Sequence, residues 1–68
     1  MDFAELRAVM ARQGVKNSEL AEHIGISNQA FYNKMSGKSD FKLSEVCAIA
    51  TALGMTSNEV ADIFLPIT

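Results

Sequence analysis

The residues of this chain that could do chemistry are suited to hydrogen bonding more than to catalysis. His23 is the single histidine and Cys47 the single cysteine. Neither has a second histidine or cysteine at metal-ligand spacing, so His23 is expected on the surface, and no disulfide framework or metal site is expected. Glu19 and Glu22 resemble a carboxylate pair in composition only, because nothing nearby supplies a nucleophile or a base. Without a nucleophile–base pair, a metal cluster or a phosphate loop, an enzyme is not expected, and neither is a cofactor or small-molecule ligand. What remains is the stretch "GISNQAFYNKMSGKS", residues 25–39, which sets Asn28, Gln29, Tyr32, Asn33 and Ser36 among Ala30, Phe31 and Met35.

At 100° per residue, the five polar side chains fall within an arc of about 140°. Ala30, Phe31 and Met35 lie opposite, with Lys34 among them. One face is core. The other carries donors and acceptors, and an Asn or Gln amide can bond both N6 and N7 of adenine from a helix lying in the major groove. A merely solvated helix would more often carry Glu and Lys, which favour helix. There is no acidic residue from Ser27 to Gly37, so no carboxylate of this helix would repel phosphate. The other reading of the face is a solvated surface in a bundle that docks on another protein. Tyr32 could also be a half-buried core aromatic, although its place on the wheel favours exposure.

Net charge is −2, which argues mildly against nucleic acid. All six basic residues, however, lie between Arg7 and Lys42, and residues 43–68 contain none. Screening limits the reach of distant charges to about 10 Å, so a net acidic chain can still offer a basic face. Lys16, Lys34, Lys38 and Lys42 flank the amide face and together could clamp phosphates; singly each reads as a surface lysine.

Five helices are expected to position these groups. Asp2 with Glu5 forms an Asp-led capping box, stapled by Met1 and Leu6; Phe3, Leu6 and Met10 follow helical spacing, and Gly14 stops the helix. A second helix runs from about Asn17 to Ile24, with Leu20, Ala21 and Ile24 inward, and Gly25 ends it. Ser27 caps the third, about residues 28–36, with Ile26 and Phe31 as its staple. Ala21 lets the second and third helices approach, and Gly25 can take the positive φ of a sharp turn. The fourth spans about Leu43 to Leu53, with Val46, Cys47, Ala50 and Leu53 as its inward stripe, Leu43 in phase and Ile49 at the edge. In the fifth, Thr56 and Glu59 form a capping box, Val60, Ile63 and Phe64 face inward, and Pro66 marks the limit. Met10, Met35 and Met55 read as core fillers. No alternating run bounded by turn residues suggests a strand.

Sixty-eight residues, 49% hydrophobic and 21% charged, suit one folded domain over 1–68 with one small core. No membrane span or signal peptide is evident, so a cytoplasmic protein is expected. The fold class expected is all-α, a five-helix bundle in which the second and third helices form a helix-turn-helix.

The segment "SELAEHIGISNQAFYNKMSGKSDFKLSEVCAIATALGM" resembles the lambda-repressor-like (Cro-type) helix-turn-helix family, and "FYNKMSGKSDFKLSE" is most similar to small phage-type repressors. The likeness covers nearly the whole chain. It implies sequence-specific binding of double-stranded operator DNA, usually as a dimer, with the third helix in the major groove. By position, the resemblance makes Asn17 a phosphate contact, Asn28 and Gln29 base readers, Tyr32 and Asn33 contacts to bases or phosphates, and Ser36 and Lys38 backbone contacts. The family usually has Ser or Thr capping its second and fourth helices; Lys16 and Lys42 stand there instead, so Asn17 could act as the cap. Lys34 occupies an often apolar position and is expected to snorkel toward solvent or phosphate. The third helix also lacks the arginine common in recognition helices. The alternative function is a helix-turn-helix bundle that has lost DNA binding and serves protein interaction.

The closing "ADIFLPIT" carries more apolar side chains than one short helix needs. Ile63, Phe64, Leu65 and Ile67 could form a self-complementary patch for a weak homodimer, or the tail could fold back over the groove beside the first helix.

Overall fold

The computed structural model describes residues 1–65 as α1 (Phe3–Gln13), α2 (Asn17–Ile24), α3 (Asn28–Met35), α4 (Leu43–Leu53) and α5 (Ser57–Phe64), with no strand among them. The all-α expectation holds. Among the described residues no helix is long and apolar enough to cross a membrane. Pro66 and Ile67 lie outside the described residues.

Three helices start on side-chain caps. Asp2 Oδ1 accepts the Glu5 N–H at 3.0 Å, and Ser27 Oγ accepts the Ala30 N–H at 3.1 Å. At α5 the capping box is complete: Thr56 Oγ1 accepts the Glu59 N–H at 3.2 Å, and Glu59 accepts the Thr56 N–H at 3.0 Å. The other two start on Lys16 and Lys42, which have no acceptor to offer, so only the reciprocal half of the box forms. Glu19 accepts the Lys16 N–H at 3.0 Å, and Glu45 accepts the Lys42 N–H at 2.8 Å. Asn17 is therefore the first residue of α2 and not its cap.

The core gathers Leu6, Val9, Met10, Leu20, Ala21, Phe31, Met35, Ile49, Leu53, Ile63 and Phe64. In α4 the inward stripe is turned from the expected one. Ile49 is fully buried, whereas Cys47 is exposed and Leu43 is 79% exposed. The inward residues are Glu45, Ile49 and Leu53, one turn apart. This helix is apolar on most sides, so its spacing alone left its rotation open. Glu45 decides it by turning inward to meet two donors.

One of those donors corrects the reading of Lys34. Instead of reaching solvent or phosphate, its Nζ lies 2.6 Å from Glu45 Oε1, with the two side chains 12% and 9% exposed. The ammonium also donates to the Asp40 carbonyl at 3.3 Å and lies 5.9 Å from the centre of the Phe41 ring. Phe41 meets Phe31 edge-on at 5.9 Å and Phe64 at 6.4 Å, so the segment joining α3 to α4 is anchored by an aromatic stack.

Helix α1 and its N-cap satisfy the far ends of three other helices. The Asp2 N–H donates to the Ile63 carbonyl at 2.6 Å, Arg7 Nη2 to Met35 at 3.3 Å, and Gln13 Nε2 to Leu53 at 2.6 Å. Each acceptor is a C-terminal carbonyl with no partner inside its own helix.

The Lys34–Glu45 pair has a measurable consequence. Its carboxyl is held below its usual 4.5, chiefly by the Lys34 hydrogen bond; burial opposes this and the Lys42 N–H adds to it. A lowered folded-state value means that the stabilisation is complete above pH 4.5 and is lost as pH falls through the lowered value. Glu45→Ala should cost about 3 kcal/mol at pH 7, because it strands a mostly buried ammonium. Lys34→Met combined with Glu45→Leu should recover most of that loss and flatten the decline below pH 4.5. Urea midpoints at pH 7 and in acid check both outcomes.

Candidate nucleic-acid interface

The turn between α2 and α3 fixes the direction of the amide face. At the end of α2, the Gly25 N–H donates to the Glu22 carbonyl at 3.1 Å and the Ile26 N–H to the Ala21 carbonyl at 3.0 Å. This double closure needs a left-handed residue, and Gly25 supplies it at φ +81°. Ile26 packs against the core behind the turn, and Ala21 is fully buried where α2 meets its neighbours. Ser27 then caps α3. Phe31, 1% exposed, and Met35, 3% exposed, hold the helix from below. Arg7 places its guanidinium at the carbonyl end of α3, where a positive charge is favoured. No pattern in the sequence announced that contact, because its two partners lie 28 residues apart.

The opposite face of α3 is open. Asn28, Gln29 and Ser36 are exposed, Tyr32 is 59% exposed and Asn33 is half-buried. Tyr32 is thus not a core aromatic. The sequence placed these side chains on one face but said nothing of their bonds to one another. Gln29 Nε2 donates to Asn33 Oδ1 at 3.1 Å. The Asn33 backbone carbonyl accepts the Ser36 hydroxyl at 3.1 Å, the Lys38 N–H at 2.9 Å and the Ser39 N–H at 3.4 Å. Four of the residues singled out in the sequence, Gln29, Asn33, Ser36 and Lys38, are thereby joined around Asn33. The face carries no carboxylate.

The other candidates are dispersed. Lys16 and Asn17 stand exposed at the start of α2, and Lys42 stands exposed at the start of α4. Their side chains make no hydrogen bond to α3 among the described residues. Lys34 is spent on Glu45 and has no free charge to offer a phosphate. Glu19, Glu22 and His23 are exposed on α2, and no group of metal-ligating side chains exists among the described residues.

Elsewhere, α4 and α5 border an open apolar groove of about 670 Å³, whose lining includes Leu43, Val46, Cys47, Val60, Phe64 and Leu65. Ile63, 2% exposed, belongs to the core and not to the expected surface patch, whereas Phe64, 7% exposed, is a core residue that also lines this groove. Leu65 is 69% exposed.

A family model described as "Helix-turn-helix domain" matches residues 4–63. No curated protein and no solved structure matches the chain.

The turn can be tested directly. A Cβ added at Gly25 would meet no atom within 4 Å, so the cost of Gly25→Ala is one of backbone conformation alone. It should destabilise the domain by about 1–2 kcal/mol, and Gly25→Asn should cost less because asparagine tolerates the left-handed region. Thermal unfolding of the two variants checks the order.

Proposed function

Because the chain belongs to the helix-turn-helix domain family, we propose that it is a sequence-specific double-stranded DNA-binding protein, a transcriptional repressor of phage type, functioning as one domain over residues 1–68. The observation that carries this reading is the exposed amide and hydroxyl face of α3, free of carboxylates and fixed from behind by Phe31, Met35 and Arg7. A helix of this width enters the major groove, where each base pair shows a distinct pattern of donors and acceptors. Asn28, Gln29, Tyr32 and Asn33 form the base-facing group. Lys16, Asn17, Ser36, Lys38 and Lys42 are the phosphate contacts. The backbone N–H of Lys38 is tied to the Asn33 carbonyl, which keeps its main chain beside the end of the reading face.

A single short helix reads few base pairs, and pairing two copies would place two such helices on successive half-sites about 34 Å apart. We place the weak homodimer on α5, Leu65 and the adjoining α4 groove. Apart from the terminal amine of Met1, the groove's lining carries no charged group, so two copies of net charge −2 would not repel there. The exposed Leu43 and Leu65 on its rims could each enter the partner's groove, as a two-fold interface requires.

Selection of bound duplexes from a random pool at low salt should enrich one sequence. No enrichment would remove DNA reading and favour protein docking through the same face. On the enriched duplex, Lys38→Ala should weaken all sequences alike and reduce the salt slope by about one unit. Sedimentation equilibrium should show a concentration-dependent dimer that Leu65→Glu abolishes; a strict monomer with and without DNA would rule the dimer out.

A further inference from the structure

Asn33 stands beside Gln29 on the face proposed to read bases, but the hydrogen bond between them gives the two residues different tasks. Gln29 Nε2 donates to Asn33 Oδ1 at 3.1 Å. This uses one of the two amide N–H groups of Gln29 and leaves its carbonyl oxygen and second N–H. One acceptor and one donor side by side match the N6 donor and N7 acceptor of adenine. They do not match guanine, whose O6 and N7 are both acceptors. Turning the Gln29 amide over by itself would set its oxygen against Asn33 Oδ1. With Asn33 Oδ1 turned toward Gln29, as it is here, the bond holds in one orientation an amide that otherwise presents its two ends equally.

Asn33 is equipped for such a role. It is half-buried, whereas Gln29 is exposed. Its backbone carbonyl is held by Ser36, Lys38 and Ser39, so the main chain from which its side chain reaches Gln29 is anchored. Gln29 and Asn33 lie four positions apart, where helical side chains are neighbours. An exposed glutamine must otherwise give up much rotamer freedom on binding, and a side chain already bonded in place gives up less.

We propose that Asn33 is a positioning residue: it orients the Gln29 amide so that Gln29 selects adenine at one operator position, and Asn33 does not itself read a base. This rests on the DNA-binding reading above and deepens it.

The test uses the duplex enriched by the unmodified protein and its single-base variants, with affinity read by fluorescence anisotropy at low salt. The Gln29 position is the one whose preference disappears in Gln29→Ala. There the unmodified chain should favour adenine over guanine by about tenfold. Asn33→Ala should reduce this to about threefold or less and leave preferences elsewhere in the site intact. Asn33→Asp is the rescue. A carboxylate can only accept, so it keeps the Gln29 amide in the same orientation; the tenfold preference should survive while every duplex binds more weakly, because a negative charge now faces DNA. Unchanged helical circular dichroism confirms that both variants fold. Full discrimination in Asn33→Ala overturns the proposal, and so does its loss in Asn33→Asp, which would make the Asn33 amide itself the reader. An unmodified chain with no preference among duplexes overturns DNA reading as a whole and this proposal with it. The two kinds of failure are therefore distinct.

Discussion

A carboxylate placed in the interior of so small a domain must be matched by a cation and by hydrogen bonds, or the domain will not fold around it. Glu45 is the one buried charged residue among those described, and no buried side-chain polar atom there lacks a partner. Its Oε1 receives the Lys34 ammonium from the last turn of α3 and the Lys42 N–H from the start of α4. One atom thus begins one helix and fixes the end of another. The same ammonium reaches Asp40 and Phe41, and Phe41 joins Phe31 to Phe64. The rotation of α4, the path of the connecting segment and the tilt of α3 all depend on this contact. An apolar pair could fill the space but would give less direction, because packing tolerates small rotations that a 2.6 Å hydrogen bond does not.

Helix α1 acts at the other ends. Short helices leave a large share of their carbonyls without partners, and all five are eight or eleven residues long with little room for internal compensation. Asp2, Arg7 and Gln13 supply donors to α5, α3 and α4 in turn. Arg7 matters most for the proposed reading face. With Ser27 satisfying the first turn of α3 and Arg7 the last, the helix is held at both termini, and its outward side chains can be polar without being needed for stability. That separation between the groups that hold α3 and the groups it displays is what leaves Asn28, Gln29 and Tyr32 without a task in holding the helix in place.

Helix boundaries were legible because their signals are local. Ser27, Thr56 and Gly25 each act within four residues, and the starts and stops of α2 and α4 fall where the sequence places them. The reading face was legible as a set for the same reason, since helical spacing puts its members on one side. The contacts that decide the rest are long-range. Lys34 carries the same side chain whether it meets solvent or Glu45, and the second outcome is invisible without knowing that α4 turns Glu45 inward. That rotation was hidden in turn by a helix apolar on nearly every side, which made Cys47 look buried and Ile49 marginal. Ile63 and Phe64 were rightly placed in the core by periodicity; that placement removes Ile63 from the surface patch and leaves Phe64 only as a buried residue lining the α4–α5 groove. The Gln29–Asn33 bond lay at a legible spacing, four residues apart, but spacing permits such a bond without requiring it.

A neutral reading face also bears on the balance between affinity and discrimination. Non-specific binding grows with the number of phosphates that basic side chains neutralise. With Lys34 committed to the interior, the exposed lysines near the motif are Lys16, Lys38 and Lys42, set against exposed Glu19 and Glu22 on α2. Attraction to an arbitrary duplex would therefore be small. Amides behave differently. On the matched base they exchange water for equivalent bonds, and on a mismatched base they are left dehydrated and unpaired, so their contribution falls almost entirely on the difference between right and wrong sequences. A chain that used this face on DNA would bind its own site modestly and other sites far less. Its selectivity would then depend on how firmly the amides are held before contact, and the bonds converging on Asn33 supply that firmness.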